Sequence, residues 1–184
     1  MSFYTNEELK VIGLGSFGNN VLISRKTSIY NPSKIHIGNN VRIDDFCVLS
    51  AGFGGIIIGN YVHIAVYCSL IGAGKITLSD FSGLSSRVSI YSSNADYSGE
   101  YLTNPTVPEE YSVVTNADVY LGKHAVIGAG SIVLPGVNVG EGSAVGSMSL
   151  VVKNVDDSVI VVGVPAKFIK NRSTKIFELE KELA

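Results

Sequence analysis

From residue 121 onward, aliphatic residues recur at every sixth position: Leu121, Ile127, Val133, Val139, Val145 and Val151. Glycine follows at 122, 128, 140 and 146, and the fourth residue after each aliphatic is small or β-branched: Ala125, Ser131, Val137, Ser143, Ser149 and Val155. The same unit stands earlier as Ile37/Ile43, Ile58/Ile64 and Leu78/Leu84, with 21 residues from Ile37 to Ile58 and 20 from Ile58 to Leu78. Each interval is three six-residue units plus a small corner insertion. Six residues are too few for an α-helical repeat, so the period predicts short straight segments joined by tight corners, three to a triangular coil. Stacked coils pair their backbones at about 4.8 Å. No coil buries its aliphatics without a neighbour, so both ends need caps.

The caps are legible too. "TNEELK" places Thr5 and Glu8 at capping-box spacing for a short helix. At the other end Ser173 is expected to cap "STKIFELEKELA", with Ile176, Leu179 and Leu183 on one helical face. The organisation expected is an N-terminal helical cap over 1–20, a solenoid over 21–172 and a C-terminal helix over 173–184.

The count of six fails over "VSIYSSNADYSGEYLTNPTVPEEY", residues 88–111, and resumes at Leu121. A loop that interrupts a solenoid on one side is usually a binding element, here at about 92–118. It holds Tyr97 and Tyr101 among Asn94, Asp96 and other polar residues, a mixture suited to a sugar's apolar faces and hydroxyl rim.

Charge and composition narrow the classes. Over 184 residues, 14 Lys+Arg against 16 Asp+Glu leave a net charge of −2, with no basic footprint for nucleic acid. The start "MSFYTNEELK" lacks signal-peptide character, and no apolar run approaches the ~18 residues of a membrane span. The expectation is a cytoplasmic protein. Only 16% of residues are charged and the mean hydropathy is +0.30, which points to apolar faces covered by other copies of the chain.

Three motifs take structural readings. "GLGSFG", residues 13–18, has the helix before it and the strand after it, the reverse of a dinucleotide loop, so it reads as a turn into the first coil. Cys47 and Cys68 are 21 residues apart, each four after an inward aliphatic, and should stack inside adjacent coils as reduced thiols. His36 and His124 read as surface residues that do not converge with His63 on a metal.

The [LIV]-G-x-x-[STAV]-x repeat resembles that of the hexapeptide-repeat acetyltransferases, whose fold is an all-β solenoid, a left-handed parallel β-helix. "VIGAGSIVLPGVNVGEGSAVGSMSLVVKNV" followed by "VVGVPAKFIK" is similar to the closing coils of galactoside, maltose and surface-polysaccharide O-acetyltransferases. The resemblance implies a homotrimer with active sites between subunits, acetyl-CoA as co-substrate and no metal. It places the pantetheine arm along Gly128, Ala129, Gly146 and Ser147, and the CoA phosphates near Lys153, Lys167 and Lys170.

The same resemblance puts a catalytic histidine at the start of the loop, where this chain has Ser93, Asn94, Ala95 and Asp96. A hydroxyl acceptor needs a base near the working pH. His63 of "NYVHIA" points outward and lies in a string resembling bacterial aminosugar N-acetyltransferases, where a histidine contacts the acyl group. Asp96 is the other candidate base or orienter, and an amine acceptor needs no strong base. Ser93, Asn94, Tyr97 and Tyr101 are the expected acceptor contacts. The leading expectation is an acetyl-CoA-dependent enzyme acting on a sugar hydroxyl in surface-polysaccharide or saccharide metabolism. N-acetylation of a nucleotide-linked aminosugar and a non-catalytic binding trimer are the alternatives.

Overall fold

The computed structural model describes residues 2–183. Three parallel sheets form a triangular solenoid. The first face stacks Ser16–Phe17, Ile35–Ile37, Ile56–Ile58, Ile76–Leu78, Val119–Leu121 and Asn138–Val139. The second stacks Leu22–Ile23, Arg42–Ile43, His63–Ile64, Gly83–Leu84, Val126–Ile127, Ala144–Val145 and Val159–Val162, and Lys167–Asn171 closes it in antiparallel sense. The third stacks Ser28–Tyr30, Val48–Ala51, Ser69–Gly72, Ser89–Tyr91, Ile132–Val133 and Leu150–Val151.

The period of six is the core. Leu121, Ile127, Val133, Val139, Val145 and Val151 are all 2% exposed or less, as are Ile43, Ile58, Ile64, Leu78 and Leu84. The intervening small positions Ala125, Ser131, Val137, Ser143 and Ser149 are buried with them, because a corner leaves no room for more. Three residues after an inward aliphatic the chain turns through left-handed backbone, at Asn40, Tyr61, Phe81 and His124 on one corner and at Phe46, Tyr67, Arg87 and Met148 on the next. Such backbone costs a side-chain-bearing residue about 1–2 kcal/mol. Stacking offsets part of that: Tyr61 on Phe81 at 4.7 Å, Phe81 on His124 at 4.9 Å and Phe46 on Tyr67 at 5.0 Å.

The N-terminal helix, Asn6–Ile12, carries the capping box between Thr5 and Glu8 and drives Leu9 into the core at 0% exposure. Gly13 ends it in left-handed conformation, and Ser16–Phe17 opens the first coil, so "GLGSFG" is a turn. Cys47 and Cys68 are buried, unbridged thiols that donate to the carbonyls of Ala65 and Ser85, each at 3.1 Å. Cys68 beside it, and then burial, push the Cys47 thiol up.

Two expectations about the C-terminal end need correction. The helix runs Ile176–Lys181 with Lys175 at its N-cap, while the Ser173 hydroxyl accepts only from the Lys175 N–H at 3.3 Å. Leu179 and Leu183 are 48% and 62% exposed. The helix docks instead by Glu180, which pairs with Lys123 at 2.5 Å and with His124 at 2.8 Å, and by the edge of Phe177 against the His124 ring. Those polar contacts turn the leucines outward. They also cover His124, whose side chain is only 11% exposed, so it is a docking residue and not a surface one.

The break forms a two-stranded antiparallel hairpin, Ser93–Ala95 with Val114–Asn116, between the third and first faces. Its base is fixed by Ser93, whose hydroxyl donates to Asn116 Oδ1 and accepts from the Ala73 N–H, both at 2.6 Å.

Candidate active site

Because Ile64 points inward, His63 before it must point out of the second face. Its Nε2 lies 2.9 Å from Asp44 Oδ2, one coil earlier, and the other Asp44 oxygen accepts from Arg42 Nε at 2.7 Å. Burial works against ionisation of Asp44, but the hydrogen bonds from His63 and Arg42 prevail and hold its carboxyl below the usual range. The pair fixes the imidazole and leaves Nδ1 as its free nitrogen.

Along this face the outward positions align as Arg42, His63, Gly83, Val126 and Ala144. Glycine at 83 opens a hollow of about 320 Å³ lined by His63, Ala65, Gly83, Ser85, Ser86 and Val126. The rim of this hollow continues up the corner. The Gly130 N–H donates to the Ser86 carbonyl at 2.9 Å and the Met148 N–H to that of Ala129 at 2.8 Å. Gly128 is required there, since a Cβ would stand 2.5 Å from Ser147 N. Thus Gly128, Ala129, Gly146 and Ser147 form one column that descends to Ser85 and Ser86.

The basic residues divide. Lys167 pairs with Val162, against which Gly146 packs, and Lys170 pairs with Ile160; both lysines are exposed on the closing strand. Lys153 is exposed past Val151, at the following corner. Arg172 folds back instead, its Nη1 facing the carbonyls of His124, Gly142 and Ser143 at 3.0–3.1 Å, and burial lowers its guanidinium pKa.

In the loop, Asp96 Oδ2 accepts from the Ser98 hydroxyl at 2.6 Å and from the Ser98 N–H at 3.1 Å. The Ser98 hydroxyl is the main cause that holds this carboxyl below its usual range. Tyr97 and Tyr101 are 83% and 47% exposed, Asn94 sits mid-strand opposite Thr115, and the Ser93 hydroxyl is occupied within the hairpin. On one chain the hollow with His63 lies on the second face, and the loop with Asp96 stands at the corner between the third and first. Sequence reasoning missed Asp44, Gly83, Ser85 and Ser86. Asp44 precedes His63 by 19 positions, close to one coil, which was the available signal.

No family model matches the chain. Over 180 residues it is 54% identical to the dTDP-4-amino-4,6-dideoxy-D-glucose acyltransferase of Escherichia coli, covering 98% of this chain and 94% of that protein. The chain belongs to the hexapeptide-repeat acetyltransferase family. As a hexapeptide-repeat acetyltransferase family member it is an enzyme, an acyltransferase. Its fold superposes on AntD, an N-acyltransferase from Bacillus cereus solved with dTDP and 3-hydroxybutyryl-CoA, with a TM-score of 0.94 and 53% identity over 99% of this chain and 96% of that one. A variant of AntD in complex with dTDP-4-amino-4,6-dideoxyglucose and coenzyme A matches with a TM-score of 0.95 and 52% identity, over 99% and 96% of the two chains. No helix among the described residues is long and apolar enough to cross a membrane.

Proposed function

We propose that this acyltransferase moves an acyl group from acyl-CoA to the amine of a nucleotide-linked aminosugar of the dTDP-4-amino-4,6-dideoxyglucose type. The observation that carries this reading is the acceptor loop itself, which offers Asp96 with its carboxyl held below the usual range and no histidine. A hydroxyl needs a base near the working pH before it can attack, which this carboxylate is not. A neutral amine is already nucleophilic. After it attacks the thioester carbon, its ammonium is acidic enough for a weak carboxylate to take the proton. The relatives support the same choice, and the expectation of a hydroxyl acceptor gives way to the amine.

In this mechanism the Asp96 carboxylate takes the proton from nitrogen once the C–N bond has formed and returns it to sulfur as the C–S bond breaks, so that CoA leaves as the thiol. Ser86, at the hollow, hydrogen-bonds the amine. The solved AntD variants alter a serine and an aspartate ten positions apart, the separation of Ser86 and Asp96 here. His63, fixed by Asp44, contacts the acyl group. The pantetheine arm follows the column of Gly128, Ala129, Gly146 and Ser147, with Lys167 and Lys170 nearest the phosphates and Lys153 more distant. Asn94, Tyr97 and Tyr101 contact the sugar nucleotide, while Ser93 braces the hairpin. Since His63 and Asp96 lie on different sides of one chain, the complete site forms between two copies, which fits a cytoplasmic homotrimer acting in saccharide metabolism. Release of CoA thiol on mixing the enzyme with acyl-CoA and a panel of sugar nucleotides tests the reading. Release is expected only with amino-bearing sugars, and release with hydroxyl-only sugars would overturn it.

A further inference from the structure

We infer that Gly83 sets the size of the acyl group, keeping open a hollow that admits chains longer than acetyl. The inference rests on the acyl-transfer reading above. Most glycines on the coils are forced: a Cβ would collide with the next coil, as at Gly128, or the backbone is left-handed, as at Gly130 with φ of +72°. Gly83 is under neither constraint, since a Cβ there would meet only the His63 carbonyl, at 3.9 Å. Backbone geometry does not require glycine at this position. What a side chain would remove is the open space between His63 and Val126, its neighbours in register on either side.

The surroundings decide the occupant. The corner column passes Ser85 and Ser86 at the edge of the hollow, so a pantetheine arm laid down it to that level delivers its thioester there. Ala65 and Val126 form apolar walls for an alkyl chain, and glycine at 83 leaves the space between His63 and Val126 for it. His63 spends Nε2 on Asp44, and when that nitrogen carries the proton Nδ1 is an acceptor at the wall of the hollow. An acceptor over an apolar floor suits a short acyl chain bearing a hydroxyl.

The test compares acetyl-CoA with 3-hydroxybutyryl-CoA as donors to dTDP-4-amino-4,6-dideoxyglucose for the unmutated enzyme, Gly83→Ala and Gly83→Val. Loss of fit by one or two carbons in an apolar pocket changes kcat/KM by roughly 10–200-fold. The ratio of acetyl to 3-hydroxybutyryl transfer should therefore rise at least about tenfold, more for valine than for alanine, with the KM for the sugar nucleotide unchanged. Should either variant fold poorly by thermal melting, Val126→Ile narrows the same hollow from its other wall and should move the ratio the same way. Equal losses with both donors, or a raised sugar-nucleotide KM with an unmoved ratio, would overturn the assignment. Inactivity of the unmutated protein on every aminosugar nucleotide would overturn the functional reading beneath it, an outcome distinct from unchanged selectivity in an active enzyme.

Discussion

His63 Nε2 and Asp44 Oδ2 stand 2.9 Å apart across a coil boundary, joining residues 19 positions apart in the chain. On the proposed reading Asp44 acts on the reaction only through the imidazole it holds. His63→Ala and Asp44→Asn should each lower kcat/KM for acyl-CoA by about 10–100-fold, and the double variant should lose little more than either alone, because coupled residues are non-additive. Additive losses in the double variant would show that the two act independently.

Acid stability follows from the same carboxylate. The folded state holds the Asp44 pKa below its unfolded value, so its contribution is present above about pH 4 and is lost as pH falls through the lower folded value. Thermal melts of the native protein and Asp44→Asn should differ near neutrality and converge in strong acid. A difference that persisted there would assign the effect to packing instead of charge.

Asp96 sits half-buried on the loop, outside the core, so its replacement should leave folding intact and strike at turnover. Asp96→Asn keeps the shape and removes the proposed proton acceptor, and kcat at saturating acceptor should fall by about 10²–10⁴. An effect confined to KM would reduce Asp96 to a binding contact.

Separation of His63 and Asp96 on one chain makes a mixing experiment informative. If, as proposed, the site lies between copies of a trimer, refolding His63→Ala together with Asp96→Asn should regenerate intact sites, up to about a quarter of the total on random assembly. Mixtures no more active than the separate variants would place both residues of each site on the same chain.

Much of the fold is written in the spacing. The inward aliphatics from Ile37 to Val151 and the small residues between them are buried where the period of six puts them, since each answers to one local rule of a coil. The outward direction of His63 follows from the same alternation. Contacts that depend on which residues stack across coils were not so plain: Asp44 beneath His63, the Phe46–Tyr67 and Tyr61–Phe81 stacks, and His124 drawn under the terminal helix by Glu180. The stacks share one offset, three residues past an inward aliphatic, and a column-wise reading would have found them. The hollow at Gly83 was hidden for a different reason. A glycine that serves a turn and a glycine that leaves space look the same in sequence, and only the free volume around each separates them.

Whether nitrogen or oxygen receives the acyl group is the central claim, and one competition measures it. The enzyme is given isotopically labelled acetyl-CoA with equal amounts of a dTDP-4-amino-4,6-dideoxyhexose and its 4-hydroxy counterpart, and the products are separated by mass and treated with mild hydroxylamine. The expected result is label on the amino sugar alone, in a hydroxylamine-resistant amide. Label on the 4-hydroxy sugar, in a bond that hydroxylamine cleaves, would contradict it.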